Sequence, residues 1–157
     1  MPAKSNATES ASITQHMAID RIIDAPRELV FKAWTDAKHL AQWFEIAHCK
    51  TTAMEADIRP GGHWNLDVVH EGNEISVRRI YREIIAPSRI VFYEKCTMGD
   101  VVKLDGTHTV TFEDIGGKTR LTVTCDITNP FDTSNQQGWT WGWSGLFDRL
   151  AAHLAKD

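Results

Sequence analysis

The spacing of hydrophobic residues changes several times along the chain, and each change marks a predicted element. Residues 13–23 alternate with a period of two, which predicts a strand with Met17, Ile19 and Ile23 on one face, although Arg21 interrupts that face. A helical period follows, and Asp24 is placed to cap it. The apolar face of this helix consists of Leu29, Val30, Ala33 and Trp34. A second short helix is predicted to start at Asp36, and its apolar residues are Leu40, Trp43 and Phe44.

The period returns to two over the middle of the chain and predicts six strands. They cover residues 51–58, 63–69, 74–85, 89–97, 107–113 and 119–127. The residues from Arg59 to Gly62 predict a tight hairpin turn with Gly61 or Gly62 at positive φ, whereas residues 98–106 predict a wider connection. Strands joined in this way form an antiparallel meander, and a meander with one apolar face needs a covering element.

A long helix near the end of the chain is the element large enough to cover that face. It is predicted to start from a cap at Thr133 or Ser134, after Pro130 ends the sheet, and to run to about Leu154. Its broad apolar stripe consists of Trp139, Trp143, Leu146, Phe147, Leu150 and Leu154. Trp141 falls on the opposite side.

Three glycines, Gly138, Gly142 and Gly145, follow one flank of this helix. Glycine destabilises a helix interior by about 0.5–1 kcal/mol relative to alanine, so three of them indicate either close packing against a neighbour or empty space beside the helix. We expect the second half of the helix to be core. The first half, with Trp139, is either plain core or the wall of a pocket.

Composition narrows the class of protein. The chain has 157 residues, of which 42% are hydrophobic and 24% charged, as in a single soluble globular domain. The net charge of −4 gives no reason to expect nucleic acid or an anionic membrane as a partner. Residues 1–12 are small and polar and lack the apolar segment of a secretory signal, so we expect a disordered tail before one domain at residues 13–155.

The sequence carries no catalytic or metal-binding signature. Cys49, Cys96 and Cys125 are odd in number and widely spaced, which is typical of reduced thiols in a cytoplasmic protein. His48 beside Cys49 is the nearest approach to a metal-binding pair, but adjacent residues on a strand point to opposite faces. Nucleotide-binding glycine motifs, HExxH and a nucleophile elbow are all missing from the sequence. We therefore expect no metal and no cofactor.

Five segments of the sequence resemble one known family. They are APRELVFKAWTDAKHLAQWF (25–44), DIRPGGHWNL (57–66), YREIIAPSRIVFYE (81–94), VTFEDIGGKTRLTV (110–123) and GWSGLFDRLAAHL (142–154). In this order they are similar to the activator of 90-kDa heat-shock protein ATPase homologue-like family of the START-related SRPBCC superfamily, over about residues 13–155. The resemblance implies an α+β helix-grip fold, in which a curved seven-stranded antiparallel sheet wraps around a long C-terminal helix and two short helices close one end.

The resemblance also implies a largely apolar cavity between the sheet and the last helix. The expected lining consists of Trp34, Trp43, Phe44, Trp64, Leu66, Tyr81, Phe92, Glu94, Val110, Phe112, Trp139, Trp143 and Phe147. Where relatives often have Trp-Trp followed by a Gly-Pro turn, this chain continues from Trp43 and Phe44 into Glu45, which should alter the cavity mouth. Trp139 and Trp141 stand in a stretch that is usually polar, and they should change the cavity volume.

Polar residues on two of the strands are the remaining candidates for chemistry. Arg79, Tyr81 and Glu83 share one parity, and Glu94 shares a parity with Phe92. The pattern favours a cross-strand surface pair for Arg79 and Glu83, with a cavity position as the alternative. Glu94 lies either at a strand end open to water or inside the cavity, where a carboxylate can act as an acid or anchor a ligand.

Three functions stay open from the sequence. The first, which we favour, is a monomeric or homodimeric protein that binds a small apolar or aromatic ligand in its cavity. The second is a co-chaperone-like protein that acts through its surface on a chaperone ATPase. The third is a cavity enzyme that uses Glu94, Arg79 or Tyr81 on a cyclic hydrophobic substrate. Fold alone does not decide among them.

Overall fold

The elements follow one another in the predicted order in a computed structural model that describes residues 15–46, 48–127 and 134–155. The strands are β1 Gln15–Ile23, β2 Lys50–Asp57, β3 His63–His70, β4 Asn73–Ile85, β5 Arg89–Met98, β6 Val101–Ile115 and β7 Lys118–Ile127. The helices are α1 Arg27–Thr35, α2 Ala37–Trp43 and α3 Ser134–Ala155. The predicted tail, Pro130 and the candidate cap Thr133 lie outside the described residues, as do the side chain of Trp141 and the surroundings of Gly138.

The seven strands form one antiparallel sheet in the order β1-β7-β6-β5-β4-β3-β2. Each strand from β2 to β6 pairs with the next one along the chain, and β1 pairs with β7 at the other end of the series. The sheet curves around α3, and α1 and α2 follow β1, which confirms the predicted α+β helix-grip fold.

The core lies between the concave face of the sheet and α3. Five of the six residues of the predicted α3 stripe, from Trp139 to Leu150, are buried, and Leu154 is half-buried at its end. Helix α1 packs into the same core, because Trp34 stacks on Trp143 with ring centroids 5.6 Å apart. Trp43 of α2 joins this cluster and donates from Nε1 to the Ala33 carbonyl at 2.8 Å. Such buried aromatics supply much of the apolar area that stabilises a domain.

Arg21, which interrupts the apolar face of β1, bonds to the last helix. Its guanidinium donates to Asp148 and to the Ser144 hydroxyl, and it lies 5.6 Å from the centre of the Phe147 ring. Arg21 therefore links β1 to α3, while the apolar part of its side chain lies against the core.

The turn between β2 and β3 needs both of its glycines, for different reasons. Gly61 has a φ of +82°, a left-handed conformation that favours glycine, as predicted for one of the two. Gly62 is buried, and a Cβ atom there would lie 2.0 Å from the Asp57 carbonyl oxygen. The Gly62 backbone N–H also donates to the Arg59 carbonyl, and the Gly62 carbonyl accepts from the Tyr81 N–H, so the turn is fixed to β4 as well as to its own strands.

Three local predictions are wrong. Helix α1 begins at Arg27 with Pro26 as its N-cap, so Asp24 does not cap it, and Leu29 is 48% exposed because Phe31 takes the inward position against Phe112. Residues 98–106 are not a wide connection, since β6 already begins at Val101 after a tight turn at Gly99 and Asp100. The prediction that Asp36 starts α2 is confirmed, because its carboxylate accepts from the backbone of Lys38 and His39.

Candidate ligand-binding pocket

A pocket of about 180 Å³ lies between the first half of α3 and the strands β4, β5 and β6. Its described lining consists of Phe44, Ile46, Val77, Glu94, Cys96, Leu104, Trp139, Gly142, Trp143 and Leu146. With the exception of Glu94, these side chains are apolar or only weakly polar. The pocket therefore presents an apolar surface with one charged group.

Helix α3 supplies one wall of the pocket. Trp139, Gly142, Trp143 and Leu146 follow the helical spacing that places residues on one face. Gly142 is the exposed member of this wall, and a Cβ atom at this position would meet nothing within 4 Å. The missing side chain therefore leaves open space beside the helix, which was one of the two readings of the glycines.

The sheet contributes to the pocket through two neighbouring cross-strand rows. Val77, Cys96 and Leu104 are partners across β4, β5 and β6 and form an apolar row. The next inward row consists of Arg79, Glu94 and Gly106, and of these only Glu94 borders the pocket. A third row, Tyr81, Phe92 and His108, is fully packed in the core. Glu94 thus lies between the row that borders the pocket and the row that is packed in the core.

Glu94 and Arg79 form a buried ion pair. Arg79 Nε donates to Glu94 Oε1 at 2.9 Å, and Arg79 Nη2 lies 2.9 Å from the same oxygen. Arg79 is 0% exposed and Glu94 6%. Burial by itself would lower the pKa of Arg79, but the charge of Glu94, Tyr81 and the hydrogen bonds to both together outweigh burial and raise that pKa, so the guanidinium stays protonated.

Aromatic rings surround the Arg79 guanidinium. Its central carbon lies 3.9 Å from the centre of the Phe92 ring and 4.4 Å from that of Trp64. Phe44 and Tyr81 complete the surroundings at 5.3 Å and 6.0 Å, and burial raises the pKa of the Tyr81 hydroxyl. Cation–π contacts are strongest when the cation is desolvated, as Arg79 is.

The favoured sequence reading of Arg79 and Glu83 as a surface pair is wrong for Arg79. The parity of β4 changes at a register shift between Tyr81 and Glu83, so that Arg79 points inward while Glu83 is exposed and pairs with Arg89 at 3.3 Å. The bulge inserts one residue and turns the later side chains to the other face. Of the two readings of Glu94, the structure supports the inward one.

His108 is a buried polar residue that sequence reasoning missed. Its Nε2 accepts from Trp139 Nε1 at 3.2 Å, so the ring proton is on Nδ1, which has no hydrogen-bond partner among the described residues. Burial lowers the pKa of His108 to about 4, and the ring is neutral at pH 7. The signal was present in the sequence, because His108 has the same parity as Val110 and Phe112 on β6.

The structure separates the predicted cavity residues into two groups. Phe44, Glu94, Trp139 and Trp143 border the pocket. The others are buried in the surrounding core, and they are Trp34, Trp43, Trp64, Leu66, Tyr81, Phe92, Val110, Phe112 and Phe147. Their contact with a ligand stays a prediction. Ile46, Val77, Cys96, Leu104 and Leu146 border the pocket without having been predicted to do so.

The remaining candidates for chemistry are not combined into a reactive site. Burial raises the pKa of the Cys96 thiol to about 12, which keeps it protonated and a poor nucleophile. His63 is half-buried on the outer face, and its ring nitrogen bonds to the Glu55 carboxylate at 2.7 Å. Within the described ranges, no three His, Cys, Asp or Glu side chains come together as a metal site would require.

None of the helices in the described part of the chain combines the length and hydrophobicity of a membrane span.

Solved structures from several bacteria share this architecture. An uncharacterized protein from Rhizobium leguminosarum superposes with a TM-score of 0.84 at 23% identity, over 92% of this chain and 96% of that one. A protein from Rhizobium loti gives 0.79 at 25% identity, over 90% and 97% of the two chains. A protein from Nitrosomonas europaea gives 0.75 at 20% identity, over 90% and 94%. At such identities the likeness establishes the fold.

The comparison with family models identifies a family as well as a fold. A search of curated proteins gave no significant match. The model described as Activator of Hsp90 ATPase homolog 1-like protein, in contrast, matches residues 24–155, which include every element after β1. The chain therefore belongs to the Activator of Hsp90 ATPase homolog 1-like family.

Proposed function

We propose that this protein binds a small apolar or aromatic molecule in the pocket between α3 and the sheet. The observation that carries the proposal is the open space at the exposed Gly142, at the edge of a pocket that is otherwise lined mainly by apolar side chains. A side chain there would stabilise the helix by about 0.5–1 kcal/mol, so its absence costs stability and leaves room for a ligand. Members of this family commonly bind hydrophobic ligands, which agrees with the proposal.

The size of the pocket limits the ligand. Pockets for drug-sized molecules hold about 300–1,000 Å³, whereas this one holds about 180 Å³. A molecule of one or two rings fits that volume, and a long-chain lipid or a sterol does not fit without movement of the walls.

A binding role is favoured over an enzymatic one by the chemistry at the pocket. Nucleophilic catalysis needs a nucleophile next to a base. The thiol that borders the pocket, Cys96, is protonated, and the imidazole of His108 already accepts from Trp139. The Glu94 carboxylate is held by Arg79.

A co-chaperone-like role, which the family's name suggests, would need a surface for a large partner. The exposed large hydrophobic residues of the described chain are Ile22, Leu29, Ile80, Ile85 and Val101. They come from four different elements, which is typical of singly exposed hydrophobic residues rather than of a docking surface. This role is the second candidate.

The proposal is tested by filling the pocket from the helix side. Gly142→Leu places a side chain in the open space and is expected to reduce the affinity for a neutral apolar fluorescent dye at least tenfold. The matched control is Gly145→Leu on the same helix, where the added Cβ meets only the flexible end of Arg149 at 3.7 Å. Both variants gain the same helix propensity, so both should unfold at or above the wild-type temperature.

Two results would contradict the proposal. One is a wild-type protein that binds no neutral apolar probe and carries no small molecule when it is purified, denatured and analysed by mass spectrometry. The other is an equal loss of dye binding in Gly142→Leu and Gly145→Leu, which would place the dye elsewhere on the molecule.

A further inference from the structure

One oxygen of the Glu94 carboxylate is free to act on a ligand. Both contacts with Arg79 are made by Oε1. Oε2 has no hydrogen-bond partner among the described residues, although the side chain is more than nine-tenths buried and borders the pocket. Oε2 does not belong to the buried polar atoms that lack a partner in the described part of the chain, so water reaches this oxygen through the pocket, and a ligand that donates to it takes the place of that water.

The partner of Glu94 is placed so that its guanidinium makes no direct contact with a ligand in the pocket. Arg79 is 0% exposed and is enclosed by Phe44, Trp64 and Phe92. Its Nε and Nη2 atoms face Glu94, and Nη1 lies 3.5 Å from the Tyr81 hydroxyl. The charged group that borders the pocket is therefore the carboxylate, with the guanidinium behind it.

This arrangement selects among apolar molecules by their polar group. A hydroxyl or amine can donate to the free carboxylate oxygen, and hydrogen bonds to charged groups are the strong ones. A ligand carboxylate, sulfonate or phosphate would instead meet a like charge in surroundings of low dielectric constant, which is unfavourable. The Trp139 indole, which could serve an anion, already donates to His108.

From this geometry, and resting on the proposed function, we infer that the ligand is a one- or two-ring molecule, uncharged or cationic, with a hydroxyl or amine group that donates to Glu94. Apolar acids, including fatty acids, are excluded from the site. The apolar row Val77, Cys96 and Leu104 holds the ring system, and Glu94 fixes its orientation.

Four bicyclic probes of nearly the same shape test the inference on the unmodified protein. They are 2-naphthol, which donates, 2-methoxynaphthalene, which only accepts, naphthalene, which does neither, and 2-naphthoate, which is an anion. We expect 2-naphthol to bind at least about tenfold more tightly than 2-methoxynaphthalene, the fold-change that one net hydrogen bond to a charged acceptor gives. Binding of 2-naphthoate should be the weakest of the four.

A variant then assigns the preference to Glu94. Arg79→Met/Glu94→Leu removes both charges together, which avoids leaving one buried charge without its partner. It should bind naphthalene at least as tightly as the wild type and lose its preference for 2-naphthol. The control is Arg78→Met/Asp67→Leu, which removes an exposed pair from the outer face of the same sheet and should keep the wild-type order.

The outcomes are distinguishable. Equal binding of the three uncharged probes, or tightest binding of 2-naphthoate, overturns this inference and leaves the proposed function in place. A 2-naphthol preference that survives in Arg79→Met/Glu94→Leu also overturns it, because the donor would then be bound by another group. Failure of all four probes to bind overturns the proposed function and this inference with it. If the double variant does not fold, the order of the four probes on the wild type decides.

Discussion

The two halves of α3 should respond differently to the loss of an aromatic ring. Phe147 is 0% exposed and is closed in by Trp143 on one side and the Arg21 guanidinium on the other. Phe147→Ala leaves a closed cavity there, and the lost transfer energy and the cavity together should lower the free energy of unfolding by about 3–5 kcal/mol.

Trp139→Ala should cost less although the side chain is larger. Trp139 is 8% exposed and borders the pocket, so its removal enlarges a space that is already open. Water can then reach His108 and replace the hydrogen bond that the indole donated. Because no closed cavity is created, the remaining cost is the loss of buried apolar surface, which should lower the free energy of unfolding by about 1.5–3 kcal/mol.

Urea denaturation followed by far-UV circular dichroism measures the loss of unfolding free energy in both variants. The midpoints can be compared if the dependence of the unfolding free energy on urea concentration has the same slope in each protein. A dye titration on the same samples should show weakened binding for Trp139→Ala and near wild-type binding for Phe147→Ala. Equal destabilisation by the two changes, with the dye unaffected by both, would mean that α3 is solid core along its whole length.

Three further predictions concern the buried polar groups and the β2–β3 turn. Arg79→Met alone should lower the free energy of unfolding by about 3–5 kcal/mol, and adding Glu94→Leu should restore part of it, as a double-mutant cycle in urea would show. Burial lowers the pKa of His108 from 6.5 to about 4, so on acidification the unfolded chain takes up a proton on this imidazole before the folded protein does. The free energy of unfolding should therefore fall from about pH 6.5 towards pH 4, by on the order of 3 kcal/mol in total. It should fall less in His108→Gln. In the turn, Gly61→Val should cost about 1–2 kcal/mol from left-handed strain, and Gly62→Ala should cost more, because its Cβ would overlap a backbone carbonyl; equal midpoints for wild type and Gly62→Ala would contradict this.

Most of the fold could be predicted from hydrophobic periodicity, and its main failure has a specific cause. The segment before residue 107 looked like a connection because it contains Asp105 and Gly106, which are common turn residues. In the structure Gly106 is inside β6, where a Cβ atom would lie 2.8 Å from Cys125 Sγ. The glycine serves the close approach of two strands, a three-dimensional requirement that one-dimensional spacing does not reveal.

The site was less predictable because it depends on register. Parity placed Arg79 with the inward residues of β4, yet a lone arginine on a strand favours the surface. Its burial depends on Glu94, which lies fifteen residues later along the chain and becomes its neighbour only through the pairing of β4 with β5. The wall on α3 was easier, since Trp139 and Gly142 belong to one local helical pattern.

Binding of an apolar ligand beside the first half of α3 can be observed directly by nuclear magnetic resonance with isotope-labelled protein and unlabelled 2-naphthol. We expect titration to perturb the shifts of the indole protons of Trp139 and Trp143, the amide of Gly142 and the methyl groups of Leu104 and Leu146. The naphthol ring should also show contacts with the same methyl groups. Perturbations confined to the outer face of the sheet, or none at concentrations near the solubility of the probe, would contradict it.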